Sequence, residues 1–87
     1  MTTKAPAAVK ESAADSSEKI AYNAVQSIPT EEPNDRNRLG YHVWRWLGDR
    51  QGSLEHVVVE SGARITISVP EAVAKIKAEL QKLGVKL

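Results

Sequence analysis

Trp44-Arg45-Trp46 sets two indole rings around a guanidinium. Rings interleaved with arginines are what single-stranded nucleic acid binders use: bases stack on the rings while arginines hold phosphates. Arg50 and Arg64 are near enough in sequence to join this set. The same residue types are enriched at the energetic centres of protein interfaces. Two tryptophans would also supply most of the aromatic surface of a small core. His42 and His56 are the only histidines, and Glu55 or Glu60 could join them as zinc ligands. No pair among them has a recognised metal spacing, so two half-exposed imidazoles, without metal or cofactor, are expected. Asp49, Glu55 and Glu60 are the carboxylates that could move protons. Catalysis needs such groups in a pocket with shifted pKa values, and none of the familiar catalytic or phosphate-cradling motifs is present. Asp49 and Arg50 read as turn residues, and Glu60 with Arg64 as a cross-strand pair. A non-enzymatic protein with no small-molecule substrate is expected.

The chain has 87 residues, no cysteine and a formal net charge of +1. One domain is the ceiling at this length. Without cysteine there is no disulfide framework, thiolate metal site or cysteine nucleophile. Apolar runs are too short to span a membrane, and nothing resembles a secretory leader, so a soluble cytoplasmic protein is the default expectation. The near-neutral charge averages two unlike parts. The first 38 residues carry five basic and six acidic side chains; the remainder carry seven and five, with both tryptophans and both histidines.

Residues 1–38 read as a flexible arm. Residues 1–14, rich in Ala, Ser, Thr and Lys, cannot bury enough apolar surface to offset their ordering entropy. Asp15-Ser16-Ser17-Glu18 has the spacing of a capping box. Behind it Ile20, Ala21, Ala24, Val25 and Ile28 share one helical face, up to Pro29. A helix over 16–28 is predicted, too short to stand without a docking surface. Residues 29–38, with two prolines and no apolar side chain, read as an exposed linker.

Residues 39–87 read as a βββα domain. Residues 41–47 are aromatic and β-branched between Gly40 and Gly48, which predicts a strand. Residues 54–60, around Val57-Val58-Val59, predict a second, and the alternating 64–68 a third. Ser68-Val69-Pro70-Glu71 is a capping box with an early proline, opening a helix with Val73, Ile76, Leu80 and Leu83 as its stripe. Lys75, Lys77, Lys82 and Lys86 lie off that stripe as a solvated face, and Lys75 can pair with Glu79 at i,i+4. The expected fold is therefore α+β: a three-stranded antiparallel meander, then a C-terminal helix, after a mostly disordered N-terminal arm with one short amphipathic helix.

One helix covers one face of such a sheet. The other face, with His42, Trp44 and Trp46, needs the arm helix, a second copy of the chain or another partner. The expected function is a protein-interaction or accessory module, self-associating as a homodimer or acting as a small subunit of a larger assembly. Its anchors would be Trp44, Trp46, His42, Ile20, Val25 and Ile28, the arm helix folding as it docks. The alternative is a single-stranded nucleic acid binder using Trp44, Arg45, Trp46, Arg50 and Arg64.

Overall fold

The computed structural model describes residues 11–87, with side chains from Ser17 onward. Four helices occupy them: α1 (Glu11–Ala24), α2 (Pro33–Asp49), α3 (Leu54–Ser61) and α4 (Val69–Lys82). The described residues contain no strand, only an isolated antiparallel bridge between Thr30 and Ile65. This overturns the α+β expectation. The three-stranded sheet is absent, and each stretch assigned to a strand has another structure. The boundary drawn at 38/39 falls inside α2.

The first strand failed because the helix containing it begins earlier, in the supposed linker. Pro33 stands at the start of α2, where its missing N–H costs nothing. Asp35 lies in the first turn, where its charge complements the helix dipole. From there Asp35, Leu39, Gly40, Val43 and Trp44 are buried, at i, i+4, i+5, i+8 and i+9. That is a helical stripe running through the segment whose aromatic and β-branched content predicts a strand. The helix ends at Arg50, whose left-handed backbone (φ 54°) lets its N–H donate to the Trp46 carbonyl at 2.6 Å.

The second strand is α3. Leu54, Val57, Val58 and Ser61 are buried at i, i+3, i+4 and i+7, while Val59 is 64% exposed. Ser53 caps its start, its Oγ accepting from the His56 N–H at 3.2 Å, and Gly62 ends it at φ 71°. Three consecutive valines favour a strand intrinsically. Here the caps and one buried face outweigh that preference. The backbone of residues 64–66 pairs only with residues 29–31: Glu31 N–H donates to the Arg64 carbonyl and Thr66 N–H to the Pro29 carbonyl, both at 3.0 Å.

Of the residues expected to be disordered, 1–10 lie outside the described residues and 11–14 belong to α1. Asp15 and Glu18 sit inside α1 rather than capping it. The helix stops at Ala24, short of Pro29, because the chain tightens: Gln26 N–H donates to Asn23 and Ile28 N–H to Val25, each three residues back. The Gln26 side chain donates to the Tyr22 carbonyl at 3.1 Å, satisfying an otherwise orphaned acceptor.

α4 opens with Ser68 Oγ accepting from the Glu71 N–H at 3.2 Å. It closes in a Schellman motif: Gly84 (φ 95°) donates to Gln81, and Val85 donates to Leu80 at 2.9 Å. Its buried stripe is Ala72, Val73, Ile76 and Leu80; Leu83 is 39% exposed instead of completing it.

The helices pack in cyclic order, α1 on α2 and α4, and α3 on the same two. One core lies between them, built from Ala21, Ala24, Val25 and Ile28 of α1 and its tail, Leu39, Val43 and Trp44 of α2, Leu54, Val57 and Val58 of α3, and the α4 stripe. The α1–α2 approach is close: the Tyr22 ring lies over Gly40, where an added Cβ would fall 2.5 Å from Cδ1. Glycine is needed at 40 for that contact, within an otherwise regular helix.

Candidate functional site in the cleft between α2 and α3

Helical geometry redistributes the residues singled out for chemistry. Trp44 and Trp46, which a strand would put on one face, part company. Trp44 is in the core, 8% exposed, with Tyr41 edge-on at 6.2 Å between ring centres. Val25 and Ile28 are fully buried and Ile20 partly so, all packed within this chain. These four expected anchors are therefore occupied internally. The sheet face that was to carry the tryptophans does not exist.

Trp46 and His42 remain at the surface, together. His42, Arg45, Trp46 and Asp49 fall at i, i+3, i+4 and i+7 along one side of α2. They face His56, Val57 and Glu60 of α3 across a cleft of about 150 Å³ that Gln51 also lines. Trp46 is fixed by its ring N–H, which donates to the Gly52 carbonyl at 2.9 Å. The Arg50 guanidinium lies 4.9 Å from the Trp46 ring centre and also donates to the Lys86 carbonyl. Arg45 sits 5.8 Å from the Tyr41 ring and is otherwise exposed. His56 Nε2 lies 3.4 Å from Glu60 Oε2, one helical turn away.

The cleft walls carry both signs of charge, with an aromatic edge and a half-buried imidazole between them. Burial is the main cause that holds the His42 pKa below the ordinary 6.5; Arg45 and Arg38 lower it further, against the opposing pull of Glu60. Among the described residues no three His, Asp or Glu side chains converge as metal ligands. Glu55 is exposed on α3 and does not line the cleft.

Arg64 is committed elsewhere. Its Nη2 lies 3.1 Å from Asp35 Oδ2, close for an ion pair but poorly directed for a hydrogen bond, and its Nε donates to Asp35 Oδ1 at 3.4 Å. Arg38 Nη1 reaches the same Oδ1 at 3.4 Å, and Glu31 lies 3.8 Å from Arg64. The expected Glu60–Arg64 pair is replaced by His56–Glu60 and Asp35–Arg64. Burial pushes the Asp35 carboxyl upward, and Arg64, helped by Arg38, more than reverses this, leaving it below the usual 3.8. The cluster pins the start of α2 to the loop after α3.

Gln51 and Val57 do not stand out in the sequence as site residues, and Asp49 reads there as a turn residue. The helical spacing of His42, Arg45, Trp46 and Asp49 and the i,i+4 pair His56/Glu60 would have marked both cleft walls, once 39–49 and 54–60 were recognised as helices. Comparison with protein-family models, curated proteins and solved structures gives no match. Among the described residues no helix is long and apolar enough to cross a membrane.

Proposed function

We propose that this chain is a non-enzymatic binding module that recognises a partner protein through the α2–α3 cleft. A polar segment of mixed charge fits it best. The observation that carries this reading is the gathering of Trp46, His42, Arg45 and Asp49 on one wall with His56 and Glu60 on the other. A tethered tryptophan edge supplies contact area at little ordering cost. The surrounding charges supply orientation and selectivity rather than bulk attraction. The cleft is open and shallow, which suits a peptide segment better than an enclosed substrate.

The reason for expecting a homodimer was an uncovered sheet face, and the described fold has no such face. The nucleic acid reading also has less to draw on. Arg50 already covers the Trp46 ring, Arg64 is paired with Asp35, and Trp44 is in the core. A base stacking on that face of the ring would have to displace Arg50.

Trp44→Phe leaves Trp46 as the sole tryptophan and gives a direct assay by selective indole excitation. Peptides selected from a displayed library should shift Trp46 emission and lose about tenfold in affinity on Arg45→Glu or Glu60→Lys, a change of about 1.4 kcal/mol. Their binding should weaken only gently with salt. The proposal fails if the selected peptides ignore both charge reversals. It fails equally if a single-stranded oligonucleotide binds through Arg45 with the steep salt dependence of phosphate contacts.

A further inference from the structure

We propose a second site, independent of the α2–α3 cleft: an oxyanion site that takes one phosphate group between Arg36 of α2 and Lys75 of α4. The two side chains line a groove of about 470 Å³ where the α1–α2 turn meets the first turns of α4. Ile28, Pro29 and Ile67 form its apolar part, and Ser27 adds a hydroxyl donor.

Arg36 is prepared for such a ligand. Its Nε donates to the Ile28 carbonyl at 3.2 Å, which anchors the guanidinium of this half-buried residue. Among the described residues, no carboxylate lies in ion-pair range of Arg36 or Lys75. Of the two carboxylates one turn from Lys75, Glu79 is taken by Lys82 at 3.4 Å and Glu71 does not come within 4 Å of it. A planar fork held by one nitrogen keeps its terminal N–H groups for paired oxygens, and a lysine supplies a second, mobile charge. Among the described residues neither cation is thus tied to a carboxylate within 4 Å, and the two stand on different elements around one groove that Glu71 also lines.

Glu71 stands on the rim of the same groove. Its charge opposes a long polyanion and leaves room for one phosphoryl group. Nucleic acid binding needs a run of cations along a backbone track; here there are two, with a carboxylate beside them. Free phosphate and a phosphorylated side chain of a partner share the required chemistry.

The test follows the Arg36 Nε–H and the Ser27 and Lys75 amides by NMR as sodium phosphate is titrated against sodium chloride at equal ionic strength. Phosphate should shift them saturably and chloride should not. Arg36→Gln and Lys75→Gln should each weaken binding by about tenfold or more, and Glu71→Gln should tighten it. Because Arg36 also holds the Ile28 carbonyl, Lys75→Gln decides the matter if Arg36→Gln unfolds the chain. A short phosphoserine peptide binding more tightly than inorganic phosphate identifies a phosphorylated partner; equal affinities identify the free ion. Equal responses to phosphate and chloride, or phosphate binding unchanged in a folded Lys75→Gln variant, overturn the proposal.

Discussion

At the scale of single residues, Gly40 and His42 make the sharpest statements. Alanine has a better helix propensity than glycine by roughly 1 kcal/mol. Gly40→Ala should nonetheless destabilise the protein, by about 1–3 kcal/mol, because its Cβ would meet the Tyr22 ring. Denaturant melts of Gly40→Ala, Tyr22→Ala and the double variant should show strong coupling; independent effects would mean that the two residues do not touch. His42 gives a pH signature. Its pKa is lower folded than unfolded, so the unfolded chain takes up the proton first. The stability it contributes is fully present above about pH 6.5 and is lost as pH falls from there towards the lowered folded value. His42→Gln should flatten the stability profile in that window, measured by melting at stepped pH. Asp35 acts lower on the scale: its contribution is present above about pH 3.8 and lost as pH falls through its depressed folded pKa. Asp35→Asn should remove that acid limb.

At the scale of elements, α3 is the vulnerable piece. It has eight residues, below the length at which a helix persists alone, and depends on Ser53, Gly62 and its buried face. Ser53→Ala should cost about 1 kcal/mol and raise amide exchange through α3 first. Ser68→Ala should cost a similar amount but act on the longer α4, whose C-terminal Schellman closure remains. Elements also show what the sequence could disclose. The start of α4 was legible because Ser68-x-x-Glu71 with Pro70 is a local device that works without tertiary help. An amphipathic helix before Pro29 was legible from its apolar spacing, though not its limits, because the chain tightens by shorter hydrogen bonds that leave no mark on residue type. α2 was hidden by its own polar first turns: a buried Asp35 has no apolar signal, and its partner Arg64 lies 29 positions away. Three valines in α3 pointed the wrong way, since β-branching expresses a local preference that caps and packing reversed.

At the scale of the whole molecule, helical packing decides which candidate residues are available for function. The strand reading put both tryptophans on one face and asked for the arm helix, a second copy or another partner to cover them. The helix puts Trp44 in the core with Leu39, Val43, Val57 and Val58, and leaves Trp46 on the wall of a charged cleft. Trp44→Ala should therefore cost about 3–5 kcal/mol of stability, whereas Trp46→Ala should affect binding more than folding. Acrylamide quenching of the single-tryptophan variants Trp46→Phe and Trp44→Phe measures this separation directly. The emitter left at Trp44 should be strongly protected and the one left at Trp46 several-fold more accessible, both losing the difference on unfolding. Equal quenching of the two in the folded state would put them in like environments and contradict the account.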